Sequence, residues 1–113
     1  MAKPQNAEQY FEVFRVHCER KGMHFNPNIE ITWSLVEGLW TNKNRYGYPS
    51  CPCRLACEEL EKDRDIICPC EYAPADIAEF GQCYCGLFVN QKYLEGKMEL
   101  RLTPERRPFE KMC

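Results

Sequence analysis

The sequence predicts a mainly α protein: a small single-domain fold of short helices, with cysteines carried on the loops between them. Three observations lead there. A chain of 113 residues with 44% hydrophobic residues supports one domain with a core of modest size. Its first part holds two stretches in which apolar residues recur at helical spacing. Between residues 51 and 85, three Cys-x-Cys pairs alternate with short helical patterns. The expected organisation is one domain over 1–113, with a helical part at 1–48, a cysteine-bearing part at 49–90 and an irregular tail at 91–113.

The elements follow in order. Asn6 is a helix cap and Gln9 stands three residues later, as in a capping box. Ala7, Tyr10, Phe11, Phe14 and Cys18 then share one face, and Gly22 is a stop. That face reads as core, with Cys18 as a small core residue. The second helix starts near Asn26-Pro27-Asn28, with the proline in its first turn. Ile29, Trp33, Val36, Leu39 and Trp40 form its buried stripe, and it ends before Arg45-Tyr46-Gly47. Residues 55–62 carry a short helical pattern. Residues 74–81 carry one or two turns, opened by Pro74 and closed by Gly81. The tail is polar, with a strand expected around 98–102 and with Pro104 and Pro108 opposing regular structure.

Charge narrows the function classes. A net charge of −2 gives no footprint for nucleic acid or an anionic membrane. The apolar run at 86–89 falls far short of the roughly 20 residues a membrane span needs. The first residues lack the apolar segment of a secretory signal, so a cytoplasmic chain is expected. From residue 91 on, six Lys and Arg face four Glu, and Lys43, Arg45 and Arg54 form a second basic stretch. Such stretches are either solvated surface or a docking face for an acidic protein.

Nine cysteines in a reducing compartment signal metal or redox chemistry rather than a disulfide framework, and nine is odd. Structural zinc sites space their thiolates as C-x₂₋₄-C, whereas every pair here is C-x-C. Zinc would also leave two of the six paired cysteines idle. His17 and His24 stand far upstream, with no ligand spacing, and read as surface or core residues. A [4Fe–4S] cluster also takes four thiolates. Suppose it takes one from the first pair, both from the second and one from the third. The two left over then lie within about 7 Å of a ligand and can approach to disulfide distance. The count becomes four plus two: a cluster, which passes single electrons, beside a disulfide, which needs two. Spacing leaves open which cysteine of each pair is the ligand. It also leaves open a simple electron carrier with two idle cysteines, and a zinc-stapled interaction module.

The motifs carry a resemblance. Cys51-Pro52-Cys53-Arg54, Cys68-Pro69-Cys70 and Cys83-Tyr84-Cys85-Gly86-Leu87-Phe88 resemble the catalytic subunit of ferredoxin:thioredoxin reductase. Tyr46-Gly47-Tyr48-Pro49 and Asp65-Ile66-Ile67 fit as well. The resemblance implies a mostly helical fold around one [4Fe–4S] cluster. It implies electrons from ferredoxin and reduction of a thioredoxin-like or other protein disulfide. By position, it implies cluster ligands at Cys51, Cys68, Cys70 and Cys83 and a redox disulfide Cys53–Cys85. Cys53 would be the exposed attacking thiol, and Cys85 would stay near the cluster. Two departures stand out. The plant and cyanobacterial pattern has sixteen and eight residues between the pairs, where this chain has fourteen and twelve. Where that pattern has a catalytic histidine, this chain has Tyr84. This resembles the archaeal and anaerobic-bacterial branch, for which neither a companion subunit nor thioredoxin itself is assumed. A neutral tyrosine cannot supply the histidine's cation, so Tyr84 is expected to orient a thiol or sulfide by hydrogen bonding or packing, and Arg54, or the cluster alone, to carry the electrostatic part. Of the remaining cysteines, Cys57 is expected to be a packed or idle thiol that can face Cys53, and Cys113 a free terminal thiol.

Overall fold

A computed structural model describes residues 3–113. About half of the chain is helical, and one two-stranded sheet completes the secondary structure. Helix α1 spans Ala7–Arg20 with Asn6 as its cap, accepting from the Gln9 N–H at 2.8 Å. Gln9 reaches back one residue further than a capping box requires and accepts from the Gln5 N–H at 2.9 Å. Tyr10, Phe14 and Cys18 form its buried stripe, as the spacing predicts.

Helix α2 spans Ile29–Tyr46. Asn28 caps it, so Pro27 lies before the first turn rather than in it. The helix also runs two residues further than expected, because Gly47 at φ 89° closes it in the left-handed conformation. Ile29 is 68% exposed and not part of the stripe. The first turn of α2 projects past the core, and Thr32, Val36 and Leu39 are the buried residues.

Between α1 and α2 lies a strand missing from the sequence expectation. β1, His24–Phe25, pairs antiparallel with β2, Phe88–Val89, in the register His24↔Val89 and Phe25↔Phe88. The Phe25 and Phe88 rings lie 5.1 Å apart, and Phe14 lies 6.3 Å from Phe88. The Asn26 side chain donates to Gly86 O at 2.9 Å and its N–H to Leu87 O at 2.8 Å. The segment behind the third cysteine pair is thereby fastened to the aromatic core.

The pattern at 55–62 is helical only at its end. α3 covers Leu60–Asp63 and runs into a 3-10 turn at Arg64–Ile66. Upstream, Glu58 sits at φ 65°, and the Cys57 N–H turns to the Asp63 carboxylate at 2.9 and 3.0 Å. Both features break an α-helical run. α4, Ala73–Phe80, has proline in its first turn and left-handed Gly81 after it, as expected. α5, Gln91–Leu94, follows β2 and is capped by Asn90.

Residues 98–102 form no strand. The tail is irregular, yet it is bound closely to the rest of the domain. Arg101 N–H donates to Phe80 O, and Arg106 pairs with Asp76 at 2.7 Å and Glu79 at 2.6 Å. Arg107 is 4% exposed, 2.8 Å from Asp65 and 3.6 Å from Asp63. Asp63 is wholly buried and also accepts from Tyr48 Oη. Arg107→Ala therefore strips two buried carboxylates of their shared cation. Breaking a buried pair from one side costs about 3–5 kcal/mol, and a urea unfolding midpoint lowered to match is the expected result.

The same contacts make the tail acid-sensitive. Burial alone would raise Asp65, but hydrogen bonds from Arg107 and Tyr72 outweigh it and hold Asp65 below the usual carboxylate range. Glu105 likewise ends low, burial being outweighed by Arg54 and the Arg107 N–H. A carboxylate lowered by folding adds stability that is complete above its unfolded value, about pH 4, and is lost as pH falls through the folded value. Unfolding midpoints of the wild type and Asp65→Asn are expected to differ at pH 7 and converge in acid.

Candidate active site

Each cysteine loop is positioned by identifiable contacts. The first is joined to the second where Cys51 N–H donates to Ile66 O at 2.8 Å and Cys68 N–H to Pro49 O at 3.0 Å. The third is closed by Cys83 N–H to Phe88 O at 3.1 Å. Pro52 presses on α2 at Gly38, where a Cβ would stand 2.9 Å from the proline's own Cβ. A glycine in a helix interior is costly; here it lets the first loop approach the helix.

These contacts gather the six paired cysteines. Cys51, Cys68, Cys70, Cys83 and Cys85 line one cavity, together with Arg54, Tyr84, Ala73 and Phe88. Cys53 is exposed, yet its thiol stands close enough to the Cys51 and Cys85 thiols for them to act on it. Cys83 Sγ and Cys85 Sγ are 3.9 Å apart. The Cys53 and Cys85 thiols are free.

The environments differ. Burial pushes Cys68 and Cys70 up. Cys51 and Cys85 are also raised, Cys51 first by the neighbouring Cys53 thiol and Cys85 first by the neighbouring Cys51 thiol. The Cys51 and Cys85 thiols lower Cys53. The Cys85 thiol lowers Cys83 against burial, helped by the N–H groups of Phe88 and Gly86. Phe88 N lies 3.4 Å from Cys83 Sγ, and Arg54 Nη1 lies 3.3 Å from Cys70 Sγ.

Four thiols from three loops, set in apolar surroundings and hydrogen-bonded at sulfur, are the donor set of an iron–sulfur cluster. The Tyr10 hydroxyl adds to the fit. It is buried without a hydrogen-bond partner, near Cys68, and it has a proton to give to a sulfur.

Arg54 is the residue whose role the sequence left least defined. Its side chain is buried, and Glu105 of the tail clamps it at 2.8–3.1 Å through both carboxylate oxygens. Its guanidinium lies 4.5 Å from the centre of the Tyr84 ring and 5.3 Å from that of Tyr72. Tyr84 therefore supports a cation by its ring face. Two expectations about charge change with this. Arg54 is not part of a surface patch, Arg107 of the tail is directed inward, and Arg106 is neutralised at the surface by Asp76 and Glu79. Lys43 and Arg45 lie against the Trp40 and Tyr46 rings.

Cys57 and Cys113 are corrected as well. They are neither idle nor free but joined as a disulfide, their Cα atoms 5.5 Å apart. Once six cysteines are assigned to the site and Cys18 to the core, exactly this pair remains, so the count held the signal. Cys18 is fully buried, as expected. His17 lies on the exposed side of α1 and His24 in β1, and neither lines the cysteine cavity.

A small, largely helical domain with six cysteines converging from three loops defines a thiol-based redox protein. The family model described as "Ferredoxin thioredoxin reductase catalytic beta chain" matches residues 2–106. The chain belongs to that family. It is 31% identical over 91 residues to "Ferredoxin-thioredoxin reductase, catalytic chain" of Pyropia yezoensis, covering 76% of this chain and 72% of the relative. The Guillardia theta protein of the same name is 31% identical over 75 residues, covering 66% and 72%. The "Ferredoxin-thioredoxin reductase catalytic chain, chloroplastic" of Arabidopsis thaliana is 29% identical over 92 residues, covering 78% and 62%. Among the described residues, no helix is long and apolar enough to cross a membrane.

Proposed function

We propose that this protein is an iron–sulfur disulfide reductase that takes electrons from a ferredoxin and reduces a thioredoxin-like protein disulfide. One observation carries the reading: five cysteines line a single cavity while the sixth, Cys53, opens to solvent beside them. Cys51, Cys68, Cys70 and Cys83 would hold a [4Fe–4S] cluster, and Cys53 and Cys85 are the working dithiol. When bound, the cluster supplies electrons one at a time. Cys53 attacks the substrate disulfide from its exposed position, and Cys85 resolves the adduct by attacking Cys53 Sγ. An exposed thiol beside a second, partly buried one at the mouth of the cavity also argues against idle cysteines in a simple electron carrier.

The energetics suit this direction. A ferredoxin near −400 mV lies about 130 mV below a thioredoxin near −270 mV, so a two-electron transfer is downhill by about 6 kcal/mol. The tyrosine in the third pair and the fourteen- and twelve-residue intervals support placement in the archaeal and anaerobic-bacterial branch. That placement leaves the disulfide partner broader than thioredoxin and a companion subunit optional. Cysteine use of this kind suits a reducing compartment such as the cytoplasm.

The test uses reduced ferredoxin, the cluster-loaded protein and oxidised thioredoxin. Two thiols should appear on thioredoxin for every two ferredoxins oxidised. Ferredoxin oxidation without thiol release would reduce the protein to an electron carrier. The rate should fall with rising salt if an acidic ferredoxin docks near Lys43 and Arg45.

Tyr84 and Arg54 divide the role of the missing histidine. Arg54 supplies the fixed cation beside Cys70, and the Tyr84 ring holds it in place. A cation–π contact is worth about 0.5–2 kcal/mol and needs the ring, not the hydroxyl. Tyr84→Phe should therefore keep turnover within about twofold. Tyr84→Ala should lower it and shift the cluster's reduction potential. Loss of turnover in Tyr84→Phe would return the role to the hydroxyl.

A further inference from the structure

We propose that Cys57 and Cys113 are a second redox-active pair, which the Cys53/Cys85 dithiol reduces by thiol–disulfide exchange. This rests on the reading of Cys53 and Cys85 as the working dithiol. It assigns a function to two cysteines that the cluster and its neighbouring dithiol do not use.

Position comes first. Cys57 follows Cys53 by four residues, which limits their Cα separation to about 14 Å. Residues 55–57 belong to no helix or strand. Cys53 and Cys113 are exposed and Cys57 is half-buried. Cys113 also lines a cleft of about 610 Å³ with Glu61, Lys62, Arg64 and Glu71. The pair therefore lies at the surface, with Cys57 on the same loop as the attacking thiol. Exposed disulfides of this kind are the labile ones.

The second observation is how the pair is held. Both arms end on one buried carboxylate. Asp63 accepts the Cys57 N–H at 2.9 and 3.0 Å and pairs with Arg107 at 3.6 Å. Arg107 is bound to Asp65 as well, and a single 3-10 turn, Phe109–Lys111, separates it from Cys113. Cys57 Sγ faces Lys111 O at 3.8 Å. Opening the S–S bond leaves these anchors in place. The two thiols then stay at high effective concentration and can close again, as a pair that cycles must.

The exchange balances. Cys53 thiolate attacks Sγ of Cys57 or Cys113, forming one S–S bond and breaking Cys57–Cys113. The displaced sulfur leaves as thiolate and takes the proton that Cys53 lost. Cys85, losing its own proton, attacks Cys53 Sγ, and the second sulfur leaves and is protonated. Two electrons and two protons have moved from Cys53/Cys85 to Cys57/Cys113.

The test follows each cysteine by timed alkylation and peptide mapping in the cluster-loaded protein, starting with both pairs oxidised. Reduced ferredoxin is the donor in one arm and one equivalent of dithiothreitol in the other. Cys57 and Cys113 should become alkylatable after Cys53 and Cys85, at a rate unchanged by tenfold dilution of the protein. In Cys53→Ser their reduction should slow by about 100-fold or more in the ferredoxin arm. Cys85→Ser, which keeps the attacking thiol, should accumulate a Cys53–Cys57 or Cys53–Cys113 linkage. A Cys57–Cys113 bond that stays closed while Cys53 and Cys85 are reduced makes it a structural staple and overturns the proposal. So does equal reduction in Cys53→Ser. If ferredoxin reduces neither Cys53 nor Cys85, the proposed function fails. The dithiothreitol arm and the Cys85→Ser linkage then still decide the relay.

Discussion

Cys68→Ser and Cys70→Ser are each expected to lower iron from about four atoms per chain to below one, and to lose most of the domain's stability. The reason is local. Both cysteines stand on the loop that Cys51 N–H and Cys68 N–H stitch to the first pair, so a centre held there ties the two loops together. Metal binding and folding are then one equilibrium. Cys70 also faces the Arg54 guanidinium at 3.3 Å, and a serine there takes the sulfur away from that buried cation. Cys18 is the control. It is fully buried and close enough to act on Cys68, but it stands on α1 outside the cavity. Cys18→Ser should destabilise by about 1–3 kcal/mol through a buried hydroxyl and keep its iron. Iron and sulfide analysis beside thermal unfolding separates the two outcomes. Full iron in either ligand variant would overturn the ligand assignment.

The second large effect is catalytic. Cys53→Ser should lower disulfide reduction by about 10³-fold or more while the cluster spectrum stays intact, because serine is a far weaker nucleophile than a thiolate. Exposure is the physical argument: Cys53 is the only one of the six open to a protein substrate. Cys85→Ser should instead trap a mixed disulfide between Cys53 and the substrate, since the resolving thiol is gone. Mass mapping of the adduct assigns the roles. An adduct through Cys85 in the Cys53→Ser variant would reverse them.

Much of this was legible in the chain. α1 carries its own cap, its period and its stop, so local sequence was enough. α4 was equally plain, from Pro74 to Gly81. The cysteine count pointed to four plus two before any fold was known, because thiolate demand and disulfide pairing are properties of sulfur chemistry rather than of topology. The helical pattern at 55–62 misled because a buried carboxylate, Asp63, draws the Cys57 N–H out of any helix. Two-residue strands are too short to show a period, so β1 and β2 were silent.

The tail shows the boundary most clearly. Its residues are polar and without periodicity, and taken alone they describe a loose end. Their partners are Asp65, Asp76, Glu79 and Arg54, some 27 to 51 residues away. Charge pairing at that separation leaves no local trace. The sequence by itself determined the helices, the core faces and the cysteine inventory, since each rests on neighbours along the chain or on the chemistry of one residue type. Only the tertiary structure decided that Arg54 turns inward onto Cys70 and Tyr84, that the tail clamps it through Glu105, and that Cys57 meets Cys113. Each of these joins groups far apart in sequence, and burial is what makes their meeting favourable.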